Sequence, residues 1–310
     1  MRAVVTGATG FLGKWLVEEL ISQGNEVVAF VRDMSKIPFK WKESSSIKCV
    51  KFSLHDMESM QLEGACLEQA DIFFHLAWAG TSGMDRADVK LQLANVQASC
   101  NAVSLAKKMG CKRFIHAGSI MEYETVKSFS ADGFAPGMGN IYSIAKTTSD
   151  YMARTLAVKE GLEYINVIIS NVYGVAECSA RFINVTLKKM LQGERIPLTE
   201  GIQKYDFIYV TDAVKAVLLV AEKGNSLENY YIGNSKQECL KDFVVSMHKV
   251  VESSSKLAFG EVKMGTIMLT YDEFDTYKLE RELGFKPEVS FEEGIKLLSE
   301  WLKAEESNEQ

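Results

Sequence analysis

The chain has 310 residues, of which 47% are hydrophobic and 25% charged, and its formal net charge is −6. This composition is typical of a globular protein with an ample core, in one large domain or two interlocked ones. The acidic balance argues against nucleic acid as a partner, because no basic surplus is present to neutralise phosphates. No apolar run approaches the ~20 residues that a membrane helix needs.

The six cysteines are scattered along the chain without a Cys-x-x-Cys pair. This pattern predicts free thiols in a reducing compartment and no metal site. The first strand is predicted from residue 2, so we expect no signal peptide before it and a cytoplasmic location.

The amino terminus carries a glycine fingerprint in a defined context. The apolar run Ala3–Val5 leads into Gly7, Gly10 and Gly13, and a helical pattern follows at once. In such a turn the helix N-terminus and its free N–H groups can receive a pyrophosphate. Strand, glycine turn and helix in this order therefore predict a dinucleotide site.

The end of the second predicted strand, Glu26–Val31, is the position that distinguishes NAD from NADP. A carboxylate there would accept the 2′-hydroxyl of an NAD ribose. Val31 occupies the position and Arg32 follows it, and a guanidinium suits a 2′-phosphate. The sequence favours NADP(H), with a surface arginine and NAD(H) as the alternative interpretation.

Strands and helices alternate as far as about residue 170, which is typical of a doubly wound parallel sheet. Further strands are predicted at 47–54, 71–80, 112–118 and 162–169, and helices at 85–109 and 140–159. Val89 and Leu93 are among the apolar positions of the first of these helices. Later elements are predicted at 180–191, 205–210, 211–222, 229–232, 238–252 and 291–303.

The predicted fold class is α/β, a Rossmann-type doubly wound parallel sheet with a smaller carboxyl-terminal domain. We expect a dinucleotide-binding domain at residues 1–170, to which 206–233 return. Residues 171–205 and 234–304 are expected to form a substrate-binding domain, and 305–310 a frayed tail. No internal repeat is visible.

Tyr142 and Lys146 stand four residues apart in a predicted helix, so they share one face. A neighbouring ammonium favours the phenolate of a tyrosine, which lets the phenol exchange a proton near neutral pH. Ser119 follows the fifth predicted strand and can donate a second hydrogen bond to the same substrate oxygen. For Tyr142 and Lys146 taken alone, the alternative is that both are ordinary residues of a helix surface.

With these residues in place, the chain resembles an extended short-chain dehydrogenase/reductase, in the group of NAD(P)-dependent nucleotide-sugar epimerases, dehydratases and reductases. The resemblance runs nearly end to end. Its motifs are Thr6-Gly-Ala-Thr-Gly-Phe-Leu-Gly13, His75-Leu-Ala77, Asn95-Val96, Gly118-Ser119, Tyr142-x-x-x-Lys146, Asn171-Val-Tyr-Gly174, Asp206-Phe-Ile-Tyr-Val-Thr-Asp212 and Leu283-Gly-Phe-Lys-Pro287.

The resemblance implies hydride transfer with Ser119, Tyr142 and Lys146 as the catalytic set, and a homodimer formed through the helices near 85–109 and 140–159. The predicted cofactor-binding residues are Gly7, Thr9, Gly10, Phe11, Leu12, Arg32, Asp56, Leu76, Ala77, Trp78, Tyr142 and Lys146. The predicted substrate-binding residues are Gly80, Met121, Asn171, Arg181 and Tyr205.

Two departures from the family pattern restrict the reactions that we expect the chain to catalyse. The 4,6-dehydratases of the family carry an Asp-Glu pair where this chain has Ile120 and Met121, neither of which can act as an acid or base. Glu122 lies one place further, and we expect its side chain to point elsewhere. Tyr205 stands where sugar-nucleotide members often have an arginine that clamps the diphosphate, a role open to Arg181 or Lys188.

The sequence thus predicts NADP(H)-dependent reduction of a keto-sugar, such as the 4-keto group of a nucleotide-linked 6-deoxy sugar. An epimerase with tightly held NAD(P) is the nearest alternative, because it would use the same catalytic residues. A reductase of a non-sugar ketone or aldehyde and a non-catalytic NADP-sensing protein are the others.

Overall fold

The computed structural model describes residues 1–53, 68–129, 132, 136–263 and 271–308. They divide into two compact units. The first comprises Met1–Ile169 and Val217–Tyr230, and the second Ser170–Ala216 and Tyr231–Gln310. The strands are β1 Arg2–Thr6, β2 Glu26–Val31, β3 Ile47–Lys51, β4 Ile72–His75, β5 Arg113–Ser119, β6 Glu163–Ile169, β7 Asn171–Tyr173, β8 Ile196–Pro197, β9 Lys204–Tyr205, β10 Phe207–Tyr209, β11 Asn229–Ile232, β12 Glu238–Cys239 and β13 Leu257–Ala258.

The helices follow the predicted positions closely, with three additions. They are α1 Phe11–Ser22, α2 Phe39–Glu43, α3 Val89–Lys108, α4 Met121–Phe129, α5 Asn140–Glu160, α6 Phe182–Leu191, α7 Val210–Lys223, α8 Leu240–Val250, α9 Lys278–Leu283 and α10 Phe291–Asn308. The sequence patterns had not predicted α2, α4 or α9. The helix predicted from 85 begins at Val89, after a separate 3-10 turn at Gly83–Ala87.

A seven-stranded sheet with the order β11-β6-β5-β4-β1-β2-β3 forms the centre of the first unit. All registered pairs among β1 to β6 are parallel. These strands are apolar because helices cover both faces of such a sheet, so both sets of side chains are buried. The predicted Rossmann-type fold class is confirmed.

The core of the first unit is built on aromatic rings that stack across neighbouring strands. Phe73 lies 5.3 Å from Phe114, and Phe114 lies 5.9 Å from Tyr164, between ring centroids. Two residues further along each strand, on the same face, the side chains are polar: Thr6, His75, His116 and Asn166 lie side by side in register. This buried polar row leads toward the carboxyl ends of the strands.

Among its described residues, the second unit contains three short strand pairs, two parallel and one antiparallel. β7 pairs with β10 and β8 with β13 in parallel, and β9 pairs with β12 antiparallel. The aromatic rings of Tyr173, Phe207, Phe243 and Phe291 pack together, with centroid distances from 4.7 to 6.3 Å.

Candidate functional site

The turn between β1 and α1 is shaped so that only glycine fits at its two ends. Gly7 has φ +71°, and a Cβ there would lie 2.8 Å from the backbone nitrogen of Ala77. A Cβ on Gly13 would lie 2.1 Å from the carbonyl oxygen of Gly7. The helix can therefore approach the strand closely, as the fingerprint predicted.

The first turn of α1 presents backbone donors. Gly10 is the N-cap and supplies no side chain to cap the helix. The first N–H groups of a helix have no intrahelical acceptor. In α1 these donors lie in the stretch that contains Thr9, Phe11 and Leu12, whose side chains are half-buried. Donors, helix dipole and the space left by missing Cβ atoms together fit a dinucleotide pyrophosphate.

The residues after β2 are those from which the sequence favours NADP(H). Val31 is buried, whereas Arg32 is exposed and makes no hydrogen bond or ion pair with any described residue. The next carboxylate, Asp33, is engaged locally, because it accepts hydrogen bonds from the Ser35 backbone N–H and hydroxyl. Asp56, one of the predicted cofactor-binding residues, lies outside the described residues.

The end of β4 is fixed by the buried polar row. Leu76 donates its backbone N–H to the Thr6 carbonyl, and Ala77 donates to the Thr6 hydroxyl at 3.4 Å. His75 shares a 2.9 Å hydrogen bond with the Thr6 hydroxyl and a 3.0 Å one with the Ser99 hydroxyl. Burial, with Lys146 nearby, lowers the pKa of His75 to about 3, so the ring is neutral.

The segment after Ala77 is held by polar side chains of α3. Gln92 accepts a 2.9 Å hydrogen bond from the Trp78 indole N–H and donates to the Gly80 carbonyl at 2.9 Å. Asn95 holds Ala79 through both its backbone groups. Gly80 has φ +70°, and a Cβ there would meet the Leu91 side chain at 2.8 Å. Trp78 is therefore held in a fixed orientation.

Tyr142 and Lys146 lie on one buried face of α5, as predicted. The Lys146 ammonium donates a 2.9 Å hydrogen bond to the Ala117 carbonyl on β5. It also lies 3.7 Å from the centroid of the Trp78 ring, and the edge of that indole approaches Tyr142 with 6.0 Å between ring centroids. A cation over an aromatic face is attracted by the ring quadrupole.

Arg86, which sequence reasoning missed, contacts the same group. Its guanidinium carbon lies 4.5 Å from the centroid of the Tyr142 ring. Guanidinium, phenol, indole and ammonium thus form a continuous series from Arg86 to Lys146. No spacing rule could have pointed to Arg86, because it comes from the 3-10 turn before α3 and its contact depends on the loop that Gln92 holds.

Ser119 ends β5 and precedes α4. It is buried, and its hydroxyl accepts a 3.2 Å hydrogen bond from the backbone N–H of Met121. Ile120 is also buried. Glu122, expected to point away from the place of the dehydratase pair, turns its buried carboxylate to the Ser119 backbone N–H at 2.7 Å. The unpredicted helix α4 produces this contact.

The remaining predicted substrate residues belong to the second unit. Asn171, on β7, donates its side-chain N–H to the Asp206 carbonyl at 3.0 Å. Tyr205 is half-buried and stacks on Phe207 with 5.6 Å between centroids. Arg181 occupies the N-cap position of α6 without a side-chain capping bond, is exposed, and has its Nε 3.9 Å from a Glu177 carboxylate oxygen. Their roles toward a substrate stay predictions.

The described residues contain no group of three or more His, Cys, Asp or Glu side chains placed to hold a metal ion. Within those same ranges, no helix has both the length and the apolar character needed to cross a membrane.

The sequence profile of the NAD dependent epimerase/dehydratase family matches residues 3–233, which include the fingerprint, Ser119 and the Tyr142–Lys146 pair. The chain belongs to that family. This confirms the predicted membership in the extended short-chain dehydrogenases/reductases. It also confirms that the chain is an NAD(P)-dependent enzyme of this type.

Two curated relatives match this chain over almost its whole length. A UDP-N-acetyl-alpha-D-glucosaminuronate decarboxylase of Bacillus cytotoxicus is 28% identical and covers 99% of both chains. A CDP-abequose synthase of Salmonella typhimurium is 27% identical over 95% of this chain and 96% of its own. The solved structure of MoeE5 in complex with UDP-glucose and NAD is 25% identical, with a TM-score of 0.80 and coverage of 98% and 99%.

Proposed function

We propose that the chain catalyses NADP(H)-dependent reduction of a keto-sugar, with the 4-keto group of a nucleotide-linked 6-deoxy sugar as the candidate substrate. The observation that carries the cofactor choice is Arg32, which is exposed and unpaired among the described residues while the buried Val31 offers no acceptor. The named sugar-nucleotide relatives and the UDP-glucose bound to MoeE5 support the substrate class.

The proposed chemistry assigns one task to each residue of the catalytic set. The bound nicotinamide supplies the hydride. Tyr142 gives its phenolic proton to the substrate oxygen, and the Ser119 hydroxyl donates a hydrogen bond to the same oxygen. Lys146 supplies positive charge beside the phenol and a donor toward the nicotinamide ribose. The glycine turn at Gly7–Gly13 holds the pyrophosphate.

Dehydration is disfavoured, because Ile120 and Met121 supply no general acid or base. Epimerization is the second candidate, since the same three residues can oxidise and then reduce one carbon, and MoeE5 binds NAD. The assay is incubation of the purified protein with NADPH and a panel of CDP-, dTDP- and UDP-linked 4-keto-6-deoxyhexoses. Stoichiometric cofactor oxidation supports the reductase; interconversion of UDP-hexoses without net cofactor change supports the epimerase.

Cofactor choice is tested by titrating NADPH and NADH by fluorescence. Hydrogen bonds to charged groups contribute about 1.5–3 kcal/mol, so NADPH should bind roughly tenfold or more tightly than NADH. Arg32→Ala should narrow this gap. Lys90→Ala, which removes an exposed positive charge from α3, is the matched control and should preserve it. Equal affinities in the parent protein would contradict the NADP assignment and favour the epimerase.

We also propose a homodimer formed through α3 and α5. Large apolar side chains are exposed on both helices: Val89 and Leu93 on α3, and Tyr151, Met152 and Val158 on α5. Val89 and Leu93 had been placed among the apolar positions of the helix, and their exposure fits a covering subunit. Light scattering should give twice the chain mass, and Leu93→Glu should lower it.

A further inference from the structure

Glu122 is a buried carboxylate that the proposed mechanism does not use. Its side chain is only 6% exposed. One carboxylate oxygen accepts a 2.7 Å hydrogen bond from the Ser119 backbone N–H, and the other accepts a 3.2 Å one from the side-chain N–H of Asn166. It therefore joins the end of β5 to a polar residue of β6.

The neighbouring backbone leaves room for this carboxylate. A Cβ on Gly118 would lie 2.8 Å from Glu122 Oε1 and 2.4 Å from Asn166 Oδ1. Any larger residue at position 118 would displace one of the two side chains. The glycine before Ser119 is thus explained by the space that Glu122 and Asn166 occupy.

Glu122 and Lys146 bind the backbone of β5 two residues apart, at Ser119 and Ala117, and their opposite charges interact. The ammonium is buried and donates to the Ala117 carbonyl. Burial lowers the pKa of Lys146, whereas Glu122 acts to raise it. Burial raises the pKa of Glu122, and Lys146 acts to lower it. Each group therefore stabilises the charged form of the other.

Other titratable groups surround the pair. The carboxylate of Asp150 opposes ionisation of Glu122, and Arg154, 3.2 Å from Asp150, offsets that charge in part. His75 and His116 are neutral, because burial and Lys146 lower the pKa of both. Among the described residues, His75 and His116 interact with Lys146, and Asp150 and Tyr164 with Glu122. Arg154 interacts with His116, Asp150 and Tyr164.

We propose that Glu122 is a positioning residue, which fixes Ser119 at the strand end and keeps Lys146 in its ammonium form at neutral pH. The inference rests on the proposed function, because it assigns Lys146 and Ser119 to the reaction. Without an opposing carboxylate, a buried lysine loses its proton closer to neutrality. If Glu122 only fixed the start of α4 through its hydrogen bonds, its role would be purely structural.

Glu122→Gln separates the two roles. The glutamine oxygen can still accept from the Ser119 N–H. Its new N–H group replaces the oxygen that accepts from Asn166 Nδ2, so the Asn166 amide must turn over to present Oδ1, which accepts no hydrogen bond from the described chain. The variant therefore keeps the shape and loses the charge. Glu124→Gln, two residues along α4 and half-buried, is the matched control.

The first readout needs no substrate. Because the Lys146 ammonium lies over the Trp78 ring, its deprotonation should change Trp78 emission, isolated as the difference between the parent protein and Trp78→Phe. Lys146→Met should abolish this pH transition. We expect Glu122→Gln to move its midpoint to lower pH by about one unit or more, and Glu124→Gln to leave it in place.

The second readout is the pH profile of hydride transfer with the sugar nucleotide that serves as substrate. Loss of activity at alkaline pH should begin at lower pH in Glu122→Gln by the same shift. An unchanged Trp78 midpoint, or an equal loss of activity at every pH, would overturn the inference. A shifted midpoint in a protein that turns over no sugar nucleotide would support it and count against the proposed function alone.

Discussion

Glu122 in the first unit and Asp206 in the second are both buried carboxylates, yet their partners differ in kind. Asp206 accepts hydrogen bonds from the Tyr231 hydroxyl at 2.7 Å and from the backbone N–H groups of Asn234 and Ser235 at 2.9 Å. All three donors are neutral and lie in one stretch of chain. Asp206 therefore fixes the conformation of residues 231–235.

Within the described chain, Glu122 accepts two hydrogen bonds, both from neutral donors, and it interacts electrostatically with the buried Lys146 and Asp150. A buried carboxylate satisfied by neutral donors stabilises a fold, whereas one coupled to a cation also changes that cation's proton affinity. The difference suggests that proton transfer takes place in the first unit, whereas Asp206 maintains the conformation of the second unit.

The largest expected effect tests where the chemistry lies. Tyr142→Phe keeps the ring against Trp78 and Arg86 and removes only the oxygen. Positioned proton transfer contributes about 10²–10⁴ in rate, so turnover should fall by that factor while the cofactor still binds. Turnover and cofactor affinity are both measured on the purified variant.

Tyr277→Phe is the matched control, because Tyr277 lies outside the proposed dimer helices α3 and α5 and is 53% exposed. It should retain parental turnover. If Tyr142→Phe kept turnover within a few-fold of the parent, Tyr142 would leave the mechanism. The contrast between the two units would then lose its chemical basis.

The fold was predictable because its strongest signals are local. Continuous apolar strands such as β5 and β6, and the glycines at 7, 10 and 13, depend on neighbours in sequence. Predicted boundaries differed where tertiary contacts decide: β4 ends at His75, not Gly80, because the side chains of α3 hold residues 78–80 as a loop.

The candidate site was predictable only in part. Tyr142 and Lys146 share a helix face, so spacing places them together. Glu122 could not be placed from spacing, because α4 was not foreseen and its carboxylate reaches Asn166 across 44 positions of sequence. Arg86 and Gln92 were missed for the same physical reason: their contacts form only once the loop after β4 folds.

A second prediction concerns the glycine turn, which we propose holds the pyrophosphate of the cofactor. Gly7→Ala should weaken cofactor binding and destabilise the protein, because φ is +71° and the new Cβ would lie 2.8 Å from the Leu76 and Ala77 backbone. Gly24→Ala is the control: φ is +76°, but nothing lies within 4 Å of its Cβ.

The left-handed conformation alone costs about 1–2 kcal/mol in both variants, and overpacking adds about 1–3 kcal/mol for Gly7→Ala. Urea unfolding gives the stabilities, and cofactor titration gives the affinities. Equal losses in the two variants, with cofactor binding intact in both, would argue that the turn is not shaped for a dinucleotide.

The smallest effect concerns Asp206, where a change in stability is expected without any change in the chemistry. The amide of Asp206→Asn can no longer accept all three hydrogen bonds, so about 1–3 kcal/mol of stability should be lost at neutral pH. Urea unfolding measures this loss. The pH profile of hydride transfer should keep its parental midpoints, in contrast to Glu122→Gln.

The pH dependence of that loss identifies the carboxylate as its source. Burial raises the pKa of Asp206 from 3.8 to about 6, although its hydrogen bonds act in the opposite direction. The folded state therefore holds a proton that the unfolded state releases first, and the associated stability is full below the unfolded pKa and is lost as pH rises through about 6. The stability difference between parent and Asp206→Asn should shrink by on the order of 2 kcal/mol from about pH 4 to pH 7. If the stability difference stayed constant over this range, the pKa of Asp206 would be the same in the folded and unfolded states. Asp206 would then titrate like an exposed acid despite its burial.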